Sequence, residues 1–243
     1  MILGDWISDV LQSNGQPYRA VYTFEDSLCS QDVFGDFAPY RITNDTLAIF
    51  STDPSGGGWY KIVQLTSDTL HLLPVNFKTK RFVNDYGRNN IDTLFLQKVR
   101  GKNSVDISKI YFTSTGCFFT CPSMKIEIDS SGNIKFWGEF GTIKEGGYAG
   151  ILQSSIYSNL VRQIQNINLD SLKTDYRAGW TDDQTCCIQI KLKNRIIKSC
   201  AYGYDKEPVE LRILFHKLLE IYKMVDLKEN DKIVPELEKR VKD

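Results

Sequence analysis

Turn-forming clusters break the first hundred residues into short runs, and no segment between them carries a sustained helical period. The clusters are Asn14-Gly15, Asp53-Pro54-Ser55-Gly56-Gly57-Gly58, Thr66-Ser67-Asp68 and Tyr86-Gly87-Arg88-Asn89-Asn90. Each supplies residues that tolerate positive φ or start turns through their own backbone. The runs between them, at 18–24, 46–50, 59–65, 69–75 and 91–99, are rich in aromatic, Thr and β-branched residues, which suit a pleated, half-buried surface. The pattern predicts a sandwich or an up-and-down barrel.

The pattern changes after Gly101-Lys102-Asn103-Ser104, which divides the chain into domains at 1–102 and 103–243. Strands are expected at 106–113, 124–128 and 134–140, with Ser130-Ser131-Gly132-Asn133 as a hairpin turn. Ile156, Leu160, Ile164 and Ile167 then recur at spacings of three and four, a helical period that Ser154 or Ser155 could cap. A second hairpin spans 186–192 and 196–202 around Asn194-Arg195. Pro208 stands where a first helical residue belongs, and Leu211, Leu214, Phe215, Leu218, Ile221, Tyr222 and Val225 form one apolar stripe. This half therefore reads as α+β, with two helices covering one face of an antiparallel sheet. The charged tail from Asp226 has Val234, Leu237 and Val241 at helical spacing and is expected either to form a short helix near Pro235 or to fray. The whole reads as mostly β plus α+β.

Thirty basic residues balance thirty acidic ones, whereas a nucleic-acid partner asks for a basic excess or patch. Lys78-Thr79-Lys80-Arg81 and residues 191–198 alternate as solvated strand faces would. No run approaches the ~18 apolar residues of a transmembrane segment. The opening Met1-Ile2-Leu3-Gly4-Asp5-Trp6 has no basic or apolar leader region. A cytoplasmic location is expected on that reading, and the cell envelope or periplasm if an export signal precedes Met1. The six cysteines are too sparse for a disulfide scaffold, so reduced, mostly buried thiols are expected. Cys186 and Cys187 are not expected to bridge each other, because neighbouring strand residues point to opposite faces.

Two resemblances rest on particular residues. Gly4 and Trp6 form a G-x-W motif, and with residues 62–72 and 91–98 they make the first hundred residues resemble bacterial lipocalin-like domains. The resemblance implies an antiparallel β-barrel, a Trp across its closed end, and a basic residue against that Trp, a role open to Lys98 or Arg100. The stretch Cys117-Phe118-Phe119-Thr120-Cys121-Pro122-Ser123-Met124 resembles an uncharacterised bacterial domain built around C-F-G-x-C-P-x-Y, with Phe119 and Met124 departing from the pattern. Tyr176, Thr181-Asp182 and Pro208-Val209-Glu210-Leu211 extend that likeness over about 107–225; it implies no established activity.

The sharpest chemical hypothesis is a thiol site at Cys117 and Cys121, joined by Cys186, Cys187 or Cys200. The spacing is not the usual zinc knuckle, and Cys121-Pro122 favours a structural turn. No metal or cofactor is therefore expected. His71 and His216 lie beside apolar residues without a nucleophile motif. Glu127, Asp129, Glu139, Asp182 and Asp183 are the acidic candidates, and Asp182-Asp183 reads as a loop end. Gly56-Gly57-Gly58 and Gly146-Gly147 lack the context of a phosphate cradle and read as flexible loops. A barrel of ~100 residues is expected to be filled by its own side chains. Loop aromatics remain, notably Trp59, Tyr60, Tyr148 and Trp180, in loops 53–60 and 148–153 and near Asp182, as partner-binding candidates. The expectation is a non-catalytic protein-binding module, with an immunity-type protein that masks a toxin or other partner as one form of it; the alternative is a carrier of a small apolar ligand in the cell envelope.

Overall fold

The computed structural model describes residues 2–11, 17–31, 37–50, 57–87, 92–99, 105–118, 120–230, 232, 233 and 235. Its contacts divide the chain into two compact units, Met1–Arg100 and Gly101–Asp243.

In the first unit, alternating inward residues wrap eight strands round a closed antiparallel barrel. They are β1 (Gly4–Leu11), β2 (Pro17–Glu25), β3 (Leu28–Ser30), β4 (Ala38–Thr43), β5 (Thr46–Ile49), β6 (Gly58–Leu65), β7 (Thr69–Pro74) and β8 (Leu94–Lys98). Strands β1 and β8 close it by pairing Trp6 with Lys98 and Ile7 with Gln97. Inside lie Trp6, Tyr22, Phe24, Leu47, Tyr60 and Leu72, all fully buried. Trp6 donates Nε1–H to the Ile2 carbonyl at 2.6 Å, and Lys98 Nζ stands 5.1 Å from the ring centroid, a cation–π contact. Lys98 thus takes the basic role expected of it or of Arg100. Gly4 has φ +120°, a backbone conformation that side chains resist.

Two corrections concern this unit. A helix, α1 (Phe77–Gly87), crosses the stretch expected to contain none, and Lys78-Thr79-Lys80-Arg81 lies on it rather than on a strand. Among its described side chains the inner face offers Thr79 and Val83, too little apolar signal to stand out in the sequence. Asn76 Oδ1 starts it by accepting both the Thr79 N–H and hydroxyl at 2.8 Å. The short strands β3 and β4 were also not foreseen.

The second unit is an eight-stranded sheet. Its strands are β9 (Ile107–Ser114), β10 (Ser123–Asp129), β11 (Asn133–Phe140), β12 (Gly146–Ile151), β13 (Asp175–Arg177), β14 (Thr185–Leu192), β15 (Ile196–Tyr202) and β16 (Lys228–Glu229), in the order β13-β15-β14-β9-β10-β11-β12-β16. The sheet is mixed rather than wholly antiparallel, because β13 pairs with β15 in parallel. Helices α2 (Ser154–Asn166) and α3 (Val209–Glu220) bury Leu160, Ile164, Leu214 and Phe215 against sheet residues such as Phe112, Ile126, Phe136 and Ile188. Alternation in β10 and β14 sends these apolar residues to one face.

The ends of elements differ in detail from the sequence reading. Gln153, not a serine, precedes α2, with no side-chain cap. Pro208 stands just before α3, its carbonyl accepting the Leu211 and Arg212 N–H groups. Ile221 and Tyr222 of the apolar stripe belong to a 3-10 turn. Gly146-Gly147 is not a flexible loop but part of β12. A Cβ at Gly147 would stand 2.6 Å from the Asn230 carbonyl oxygen, so the strand needs glycine where the segment leading to Ile233 crosses it. Val234, Leu237 and Val241 of the tail, the linker at 101–104 and residues 51–56 of the loop at 53–60 lie outside the described residues.

Replacing Trp6 by Ala should destabilise the barrel by about 3–5 kcal/mol, whereas Lys98→Ala should cost under ~1 kcal/mol. Urea denaturation of the two variants checks the difference.

Candidate functional site

The structure places the cysteines differently from the sequence expectation. Cys117 and Cys121 form a disulfide, as do Cys187 and Cys200, while Cys29 and Cys186 are free and buried. The reason is register. The β14–β15 hairpin sets Cys187 directly opposite Cys200, with Cα atoms 4.0 Å apart, and the loop after β9 returns Cys121 to 5.4 Å from Cys117. The 5.4 Å separation lies within the range usual for a bonded pair, and the 4.0 Å one just below it. Cys186 faces the core and Cys187 the opposite side, so these neighbours do not meet. Bonded to each other, Cys117 and Cys121 have no thiolates to offer a metal.

The disulfide loop is anchored to the turn before β14. Gln184 Nε2 donates to the carbonyls of Thr115 at 3.0 Å and Pro122 at 2.8 Å. Ser114 Oγ–H also donates to the Pro122 carbonyl, at 2.6 Å. The Phe118 N–H reaches the Asp182 carbonyl at 3.2 Å. On the other side, a Cβ added at Gly141 would stand 3.3 Å from the Thr120 carbonyl oxygen and 3.1 Å from that of Cys121, and one at Gly116 would stand 4.0 Å from the Phe140 ring. The Ile143 N–H donates to the Tyr222 hydroxyl at 3.2 Å. Three turns are thereby joined at one end of the sheet. They expose Phe118, Phe140, Ile143 and Trp180, and Trp180 is oriented by its Nε1–H donating to Asp183 Oδ2 at 2.8 Å.

Behind this surface lies a polar cluster. The Cys186 sulfur and Tyr204 hydroxyl are 2.6 Å apart, and Gln184 Oε1 accepts from Tyr204 at 3.3 Å. Burial pushes the Cys186 thiol up to about 12, only partly offset by Tyr204, and burial followed by the Cys186 charge raises Tyr204 further. Both stay protonated at neutral pH, so neither is a ready nucleophile. Glu207 pairs through Oε1 with Arg212 Nε.

Glu127, Asp129, Glu139 and His216 are each held in one state. Glu127 is raised by burial, but hydrogen bonds from Lys109 and Lys135 outweigh this and lower it. Burial of Asp129 is likewise overcome by Asn133 and Ser131, and Lys125 then Ser123 lower Glu139. These carboxylates are ionised partners rather than general acids. Burial first, then Lys217 and Lys223, lower His216 to about 3 and keep it neutral. His71 packs edge to face with Phe95, ring centroids 4.7 Å apart.

Of the aromatic candidates, Trp59 and Trp180 are exposed. Tyr60 is wholly buried, bonded to Tyr22 and Gln31 inside the barrel, and so is no surface anchor. Tyr148 lies in β12, not in a loop, half-buried against Phe136. Sequence reasoning missed Gln184, Tyr204, Phe140 and Ile143; Trp180 was already a candidate, and Phe118 lay inside the quoted motif.

Fold and site together define a mostly β protein of two units, a closed antiparallel barrel and a mixed sheet covered by two helices. Residues 108–222 match the family model described as Domain of unknown function (DUF6438), and all three exposed turns lie inside the match. No curated protein matches the chain.

Two outcomes follow from these ionisation states. In denaturant without reductant, alkylation should label Cys29 and Cys186 alone; in native protein at pH 8 it should label neither, as intact mass will show. His216 has a folded pKa of about 3 against an unfolded value of roughly 6.5. Below pH 6.5 the unfolded chain therefore binds a proton that the folded chain refuses, and stability falls as pH drops, approaching ~1.4 kcal/mol per pH unit. The lowered carboxylates act with the same sign, but near pH 4. Urea midpoints between pH 6.5 and 5 should slope in the parent and flatten in His216→Gln.

Proposed function

We propose that this chain is a non-catalytic protein-binding module whose contact surface is the disulfide-closed end of the second unit. The observation that carries the reading is the exposure of Phe118 at 77%, Ile143 at 71%, Phe140 at 57% and Trp180 at 50% on turns whose backbones are tied to one another. Exposed apolar groups on a rigid surface mark an interaction site, and preorganisation lowers the entropy lost on docking. A standard interface of ~1,600 Å² would centre on these anchors. Within this reading we favour an immunity-type role, in which the module masks a toxin or another partner protein. The protonated Cys186–Tyr204 pair and the ion-paired carboxylates favour binding over chemistry. Two disulfides favour an oxidising compartment, and with it the envelope location over the cytoplasmic one.

One observation favours a second reading, a lipocalin-like carrier of a small apolar ligand: the closed barrel, with Lys98 against Trp6. Against it, Tyr22, Phe24 and Tyr60 occupy the interior.

The test is affinity capture with tagged full chain from the cells that produce it, beside Phe118→Ser and Ile143→Ser variants. A partner held by the parent should lose on the order of 30-fold in affinity for each variant, as for central interface anchors. Co-purification of a lipid or metabolite, indifferent to both substitutions and without a protein, would favour the carrier.

A further inference from the structure

The barrel unit carries an exposed apolar cluster of its own. Phe50 follows β5 and Trp59 lies on the outer side of β6; their rings meet edge to face with centroids 6.5 Å apart. The Val75 N–H donates to the Trp59 carbonyl at 3.0 Å, which continues the patch along the end of β7, and Phe77 begins α1 two residues later. Exposure is 46% at Phe50, 48% at Trp59, 48% at Val75 and 81% at Phe77.

The rotation of α1 is fixed, and that decides what lies beside these groups. Thr79 Oγ accepts the Trp59 N–H at 2.9 Å while its own hydroxyl donates to Asn76, and Val83, one turn on, is buried. With Thr79 and Val83 towards the barrel, helical geometry at 3.6 residues per turn puts Phe77 and Arg81 on the far side, flanked by Lys78 and Lys80. All four are exposed. Aromatic and aliphatic side chains thus stand next to three cations.

This combination selects among partners. Nucleic acid would use the cations but offers no apolar layer for Phe77 and Val75, and docking on an apolar protein patch would take charged side chains out of water. A bilayer with anionic headgroups accepts both: aromatic rings favour the interfacial zone, and Lys and Arg are drawn to its negative surface potential. We propose that this face of the barrel docks peripherally and reversibly on an anionic membrane surface. Phe50, Trp59, Val75 and Phe77 enter the headgroup boundary, and Lys78, Lys80 and Arg81 engage lipid phosphates. The surface and its partner are independent of the protein-binding reading, and either can fail without the other.

Each cation near such a surface contributes roughly 5-fold in affinity, so the three together contribute on the order of 100-fold. The test is co-sedimentation of the full chain with vesicles of pure phosphatidylcholine and of phosphatidylcholine containing roughly one third phosphatidylglycerol. The chain should partition about 100-fold better onto the anionic vesicles, with the preference shrinking as salt shortens the screening length. A Lys78→Gln, Lys80→Gln, Arg81→Gln variant should lose that preference, and Phe77→Ser should weaken binding several-fold. Both alter exposed side chains, and unchanged thermal melts verify the fold. Indole emission should shift to the blue on anionic vesicles in the parent but not in Trp59→Phe. Equal binding to the two vesicle types, binding to neither, or full retention by the triple variant would overturn the proposal.

Discussion

Tyr222 stacks on Phe136 with ring centroids 4.5 Å apart and planes 5° apart, and much of the second unit hangs on that contact. Phe136 stands near the middle of β11, and Tyr222 follows the last turn of α3, so the stack fastens the end of the helix to the sheet. Burying each ring contributes roughly 2–3 kcal/mol. The Tyr222 hydroxyl then reaches beyond the core to accept the Ile143 N–H. One side chain therefore joins the apolar interior to the turn that exposes Phe140 and Ile143.

Covalent and hydrogen-bonded ties complete the same end. The Cys117–Cys121 bond closes the loop after β9, and Gln184 holds it by bonding two of its carbonyls. Gln184 also accepts from Tyr204, which meets the Cys186 sulfur. A side chain buried at 4% exposure thus links the exposed loop to the protonated thiol and phenol behind it. Such amides and hydroxyls are satisfied within the protein, which makes the arrangement rigid.

The barrel reaches a comparable result without a disulfide. Asn76 caps α1, Thr79 ties it to β6, and the helix holds its basic outer face in a fixed rotation beside Trp59 and Phe77. Trp6 fills the interior under Lys98, while Tyr22, Tyr60 and Gln31 join their polar ends there. In both units, polar ties to backbone groups determine which apolar side chains stay outside.

The sequence by itself determined the elements whose cause is local. Turn clusters and β-branched runs marked most strands of the barrel, the Ser130–Asn133 hairpin turn was legible, and the Leu211–Leu218 stripe marked α3. The G-x-W motif was readable through its resemblance, which left the basic partner open between Lys98 and Arg100 until the β1–β8 pairing set Lys98 beside Trp6. What only the tertiary structure decided depends on partners distant along the chain. Helix α1 has too few apolar residues to announce itself and forms where β6 offers the Trp59 N–H to Thr79. Strand β12 carries glycines that looked like a loop until the segment at Asn230 was laid across them. Cys187 met Cys200 through hairpin register, and Tyr60 turned inward while its neighbour Trp59 turned out, because alternation assigns opposite faces but only barrel closure says which face is the interior.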